Sequence, residues 1–155
     1  MSNRKPKLHY RLYVLMRNDL PSMNVGKAMA QAAHASNQFI HEWGFKPSVK
    51  IWQKEGSGFG TTITLAVDDK TLSSVIRKAN RMKVPCGFVI DTTYPMLTNR
   101  EIASLISPNI QTDKPIFKDN GQVIIFRREV TCGYVFLSGN SPESIELVGG
   151  LPLHP

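Results

Sequence analysis

Apolar residues follow three rhythms along this chain, and each predicts a different kind of element. In "LHYRLYVLMR" the run from Leu12 to Met16 is unbroken, as expected of a strand buried on both faces and central in its sheet. "NDLPSMN" has the composition of a turn. From about Val25 to Trp43 the spacing changes to that of a helix, with Ala28, Ala32, Ala35 and Phe39 on one side and Gly44 and Pro47 stopping it. "SVKIWQKEG" predicts a short second helix, and "TTITLAVDD" a second strand. "DKTLSSVIRKANRMK" is amphipathic, turning Leu72, Val75, Ile76, Ala79 and Met82 inward and Arg77, Lys78 and Arg81 outward.

Beyond this, "VPCGFVIDTT" predicts a third strand ending at Asp91. "TNREIASLI" carries Thr98 and Glu101 at capping-box spacing, so a short helix is expected, followed by the loop "SPNIQTDKP". "GQVIIFRREV" and "TCGYVFLSG" predict two further strands. "SPESIELVG" predicts a last helix with Ser141 as cap and Pro142 in its first turn. Strands alternating with helices argue for an α/β or mixed α+β architecture.

Composition narrows the picture. At 155 residues and 41% hydrophobic, the chain fits one domain, expected over residues 8–155 behind a basic tail at 1–7 containing Arg4, Lys5 and Lys7. No apolar run approaches the roughly 18 residues of a membrane span. Arg11 and Arg17 interrupt the first apolar stretch and no small-residue cleavage site follows, so no secretory leader is expected. Cys86 and Cys132 lie far apart in strand-like surroundings, which predicts reduced, buried thiols and a cytoplasmic protein. A formal charge of +7 favours a polyanionic partner, because lysines and arginines that neutralise phosphates release counterions.

Candidate chemistry concentrates on the first helix. Spacings of four and three put Lys27, Gln31 and His34 on one stripe, where neither a core nor an ordinary surface requires them. Asp91, at a predicted strand end, is a fourth polar residue that a sheet could bring toward the start of that helix. Taken singly, each has an ordinary structural explanation; their joint placement favours a site. Metal ligation is not expected: His34 and His41 are seven apart without metalloprotease spacing, and the cysteines lack ligand spacing. "GSGFG" precedes a strand and so lacks the context of a phosphate-binding loop. "FLSGN" has Phe136 where a nucleophile elbow needs glycine, which excludes a serine hydrolase of that type.

"RNDL" after an apolar strand, followed by "GKAMAQAAHA" opening a helix, resembles the peptidyl-tRNA hydrolase family typical of archaea and eukaryotes. "LAVDDKTLSSVIRKANRMKVPCGFVID" and "GNSPESIELVGGLPL" are similar to later parts of the same pattern, so the resemblance covers about Tyr10 to Asp91 and about Tyr134 to Leu153. It implies a compact α/β fold with a mixed four-stranded sheet flanked by helices, often dimeric. The implied activity is hydrolysis of the ester joining a peptide to the 3′ ribose of tRNA, without an established metal requirement or cofactor. The positions that match are Lys27, Gln31, His34 and Asp91, with Gly26 preceding the lysine.

Two departures accompany the match. The approach to the helix, "PSMNVGK", keeps only Gly26 and Lys27 of a longer glycine-lysine pattern. Asp91 is followed by "TTYPM" and by roughly three dozen residues before the final strand resumes, so about 95–130 reads as an insertion carrying a helix and a strand. For the family's functional threonine, Thr92 is the first choice by its proximity to Asp91, ahead of Thr93 and Thr131.

Ester hydrolysis needs an oriented water, stabilisation of the oxyanion and a grip on phosphates. His34 or Asp91 could accept the water's proton, Lys27 could stabilise negative charge, Gln31 could orient substrate or water, and the amides around Val25 to Ala28 add a positive helix end. For RNA contact the candidates are Arg17, near the motif, and a patch of Arg77, Lys78 and Arg81; Arg127 and Arg128 could extend it or simply protect an edge strand. Three readings follow: a peptidyl-tRNA hydrolase, a tRNA- or protein-binding module that has lost catalysis beyond Asp91, and a small-molecule hydrolase on the same scaffold.

Overall fold

The computed structural model describes residues 9–106 and 115–155. Five strands, β1 (Tyr10–Arg17), β2 (Thr62–Val67), β3 (Cys86–Asn99), β4 (Ile116–Phe117) and β5 (Gln122–Ser138), form one mixed sheet. Its core order is β2-β1-β5-β3, with β4 pairing β5 to one side. The helices are α1 (Val25–Trp43), α2 (Pro47–Lys54), α3 (Asp69–Arg81), α4 (Arg100–Ile106) and α5 (Pro142–Val148). β1 runs parallel to β2 and antiparallel to β5, so it is central, as its unbroken apolar run predicts. This is the α/β architecture expected from the sequence, with a fifth, two-residue strand added.

Alternation along the strands divides the core into two layers. Leu12, Val14 and Met16 point to the face covered by α1 and α2, where Phe39 and Trp52 pack edge-on. Tyr13 and Leu15 point to the face covered by α3 and α5, against Leu72, Ile76, Leu147 and Val148. Asp68 caps α3 by accepting from the Thr71 amide at 2.7 Å, and Ser141 caps α5 through the Ser144 amide at 3.1 Å.

The segment beyond Asp91 departs from expectation. β3 does not end there but continues to Asn99, and β5 is one strand of 17 residues rather than two. The segment read as an insertion is therefore largely an extension of two core strands into an antiparallel arm, Tyr94 pairing with Arg127 and Asn99 with Gln122. β-branched and aromatic side chains support the extension, and Pro95 is tolerated because β3 is an edge strand. Helix α4 packs on the arm through Ala103, against Val123 and Ile125. Its cap is Asn99, whose Oδ1 accepts from the Ile102 amide at 2.8 Å, rather than Thr98, which still belongs to β3. The predicted loop "SPNIQTDKP" lies mostly outside the described residues, as does the basic tail. Among the described residues no helix is long and apolar enough to cross a membrane.

Candidate active site

Two register shifts in the β3–β5 ladder shape the site. Between Val89 and Ile90 the partner strand advances from Cys132 to Val130, leaving Thr131 as the extra residue on β5. Between Asp91 and Tyr94 the partner advances only from Glu129 to Arg127, leaving an extra residue on β3 among Thr92 and Thr93. Such bulges re-aim side chains that a regular ladder would hold in alternation. Thr131 and Asp91 here both turn toward α1, which passes over β3.

Helix α1 lies along β3 in the opposite sense, joined to it by successive polar contacts. Gln38 Nε2 donates to the Phe88 carbonyl at 2.9 Å, Gln31 Nε2 to Asp91 Oδ2 at 2.7 Å, and Lys27 Nζ to the Pro95 carbonyl at 2.8 Å. Gln31 is buried; its Oε1 accepts from the Thr131 hydroxyl at 2.6 Å, so one amide ties β5, α1 and β3 together. Asp91 Oδ1 accepts from the Thr93 amide at 2.9 Å, fixing the carboxylate plane from its other side. Beneath this chain the Cys132 thiol contacts the Gln31 carbonyl, and burial pushes its pKa up to about 12. Such a thiol stays protonated and unreactive.

Lys27 sits in the first turn of α1, where the helix dipole opposes a cation. Two acceptors offset this: Nζ also donates to the Ser22 carbonyl at 2.8 Å and lies 5.1 Å from the centre of the Tyr94 ring. An ammonium carries three N–H bonds, so one donor is left beyond these two carbonyls. Burial lowers the lysine's pKa from its usual value. Asn24 caps the helix, its Oδ1 accepting from the Lys27 amide at 2.9 Å, which leaves the Val25 and Gly26 amides at the open end.

The stripe predicted on α1 is thus divided. At 100° per residue Gln31 stands about 40° from Ala35, whereas His34 stands about 100° away. Gln31 consequently joins the buried face, Lys27 is half-buried, and His34 is exposed, with no hydrogen bond among the described residues. Thr92 is also exposed and similarly without a hydrogen bond there, while Thr93 and Thr131 are tied into the cluster.

The arginine and lysine candidates for RNA contact are placed elsewhere or already engaged. Arg17 is 8% exposed and donates to Asp19 through Nε and Nη2, and to Glu129 and the Val130 carbonyl through Nη1. Its hydrogen bonds to Asp19 raise its pKa and hold the Asp19 carboxyl below the usual carboxylate range. A guanidinium committed to three carboxylates, Asp69 being the third at 3.6 Å, is a structural cross-link rather than a phosphate contact. The apolar strand around it is the signal that points to this: a cation there must be paired. Arg77, Lys78 and Arg81 belong to α3, on the opposite layer of the sheet from Asp91, and Lys78 pairs with Glu146 at 2.8 Å. Arg127 contacts Glu129, while Arg128 is exposed. Among the described residues no three His, Cys, Asp or Glu side chains gather into a metal-binding group.

A family profile described as "Peptidyl-tRNA hydrolase PTH2" matches residues 10–111, which is 102 of the 155 residues. The chain belongs to this peptidyl-tRNA hydrolase family. The match spans both walls of the candidate site, from β1 and α1 through Asp91 and the outgoing arm of β3. No curated protein matches the chain. A solved structure of a protein of unknown function, Atu0240 from Agrobacterium tumefaciens strain C58, is similar at a TM-score of 0.51 and 12% identity, covering 96% of this chain and 100% of that one. At that identity the likeness concerns the fold alone.

Proposed function

We propose that the protein hydrolyses the ester between a peptide, or an N-blocked amino acid, and the 3′ ribose of tRNA. The observation that carries this reading, within a peptidyl-tRNA hydrolase family, is the Thr131–Gln31–Asp91 chain with Lys27 one helical turn away. Asp91, fixed by Gln31 and the Thr93 amide, orients a water and accepts its proton as the water oxygen attacks the ester carbonyl. The remaining N–H of Lys27 stabilises the oxyanion, where a positioned donor in a partly dry site is worth several kcal/mol (~3). His34, exposed on the next turn, delivers a proton to the departing ribose oxygen, and the open amides of Val25 and Gly26 receive the terminal phosphate. Gln31 and Thr131 act as positioning residues, and Thr92 meets the incoming acceptor end from the exposed bulge. The tRNA body extends over the exposed basic groups around this end of the molecule, such as Arg128.

One observation favours a second reading. Lys27 already serves two carbonyls, an arrangement suited to holding the α1–β3 junction and to a tRNA-binding protein without catalysis. Incubation with N-acetylaminoacyl-tRNA separates the two. The hydrolase releases free tRNA and N-acetylamino acid, and His34→Ala or Lys27→Met slows release. A binding module retains the intact ester, with affinity falling steeply as salt rises.

A further inference from the structure

Beside the candidate site lies an apolar groove of about 220 Å³ whose lining includes Pro21, Met96, Leu97, Ile102, Ile125 and Arg127. Except for Pro21, these residues come from the β3–β5 arm and its helix α4. The groove begins one residue beyond Pro95, whose carbonyl accepts from both Lys27 Nζ at 2.8 Å and Ser22 Oγ at 3.0 Å. At about 3.3 Å per strand residue, Met96 and Leu97 are within one amino acid's reach of the carbonyl that Lys27 grips. We propose that this groove receives the side chain of the amino acid esterified to tRNA and gives the enzyme a preference for large apolar residues there.

The chemistry of the lining selects that occupant. A volume below the roughly 300 Å³ at which small-molecule pockets begin suits one side chain rather than a nucleotide. Leu97 and Ile102 are 42% and 45% exposed, apolar surface that an apolar side chain would take out of water. Among the described residues Arg127 Nε is buried with no hydrogen-bond partner, while its guanidinium charge is met by Glu129. A guanidinium whose charge is already neutralised suits an uncharged occupant better than a phosphate.

This inference rests on the ester-hydrolase reading, and its test keeps the two apart by measuring binding separately from cleavage. Two non-hydrolysable probes, the N-acetylphenylalanyl and N-acetylglycyl amides of 3′-amino-3′-deoxyadenosine, are titrated into the full-length protein by calorimetry and by ¹³C-methyl NMR. The phenylalanyl probe is expected to bind at least about tenfold more tightly and to shift the Met96 methyl signal, because burying a large apolar side chain is worth more than that factor. Ile102→Asp, and independently Leu97→Asp, both at exposed positions, are expected to erase the preference while leaving binding of the glycyl probe within about twofold. Equal binding of the two probes, no binding of either, an unmoved Met96 signal, or a preference that survives both variants overturns the groove assignment. Preferential binding without cleavage of the matching ester supports the groove and overturns the hydrolase reading. Cleavage of phenylalanyl and glycyl esters at equal rates does the reverse.

Discussion

Replacing Gln31 by leucine tests whether its amide is the element that holds Asp91. The change removes a hydrogen bond to a carboxylate, worth about 1.5 kcal/mol here, at the low end for charged partners because water can reach the half-buried Asp91. It also strands the Thr131 hydroxyl, which is fully buried, at a cost of about 1–3 kcal/mol. Added apolar burial returns about 1 kcal/mol, leaving a net destabilisation of about 1.5–3.5 kcal/mol. Thr131→Val strands Gln31 Oε1 instead and costs about 1–3 kcal/mol. In the double variant neither partner is stranded, so both stranding costs vanish and its cost falls below the sum of the singles by about 2 kcal/mol or more. Urea unfolding of all four proteins, compared at equal slope, measures that coupling. Single-variant costs that add within about 0.5 kcal/mol would refute the bridging role. Gln31→Leu is also expected to slow cleavage about tenfold, the rate equivalent of ~1.4 kcal/mol in positioning.

Other outcomes follow from the same contacts. Arg17→Met leaves Asp19 without its paired cation and Glu129, only 14% exposed, with Arg127 alone, and is expected to cost about 3 kcal/mol by urea unfolding; a loss under 1 kcal/mol contradicts the cross-link. Because the folded-state pKa of Asp19 is depressed, its stabilisation is fully present above pH 3.8 and disappears as pH falls through the lower folded value. Acid titrations of wild type and Arg17→Met should therefore converge at low pH. Burial lowers the Lys27 pKa, so in a His34→Ala background, where no imidazole proton is donated, the rate should still fall on the alkaline side below pH 10.5, and adding Lys27→Met should remove that limb. Gly60→Ala places a Cβ 2.2 Å from a Trp52 ring anchored at the Thr61 carbonyl, in a backbone with φ of +73°; a loss of about 2 kcal/mol or more is expected on unfolding.

The sequence discloses those features of this fold that depend on local pattern. The uninterrupted run Leu12–Met16 marks the central strand, and the helical spacing of Leu72, Val75, Ile76 and Ala79 marks the buried face of α3, because each needs only the side chains of its own element. What depends on pairing between distant strands stays hidden. The bulge that frees Thr131 exists only in the register of β5 against β3, so its bond to Gln31 across 100 residues has no local signature. The same holds for Arg17, whose acceptor Glu129 lies 112 residues away. Lys27, Gln31 and His34 look equivalent on a helical projection, yet a difference of about 60° separates a buried bridge from an exposed imidazole. The end assigned to β3 at Asp91 failed because the polar residues there mark a bulge, and the pairing resumes beyond it.

The most direct test of the account is single-turnover cleavage of N-acetylphenylalanyl-tRNA by the wild-type protein and by Asp91→Asn, with tRNA affinity measured alongside. The account predicts that wild type releases free tRNA, and that Asp91→Asn binds it equally well but cleaves at least about a hundredfold more slowly, the scale of a lost general base. An Asn variant as fast as wild type, or a wild type that binds the substrate and leaves its ester intact, would contradict it.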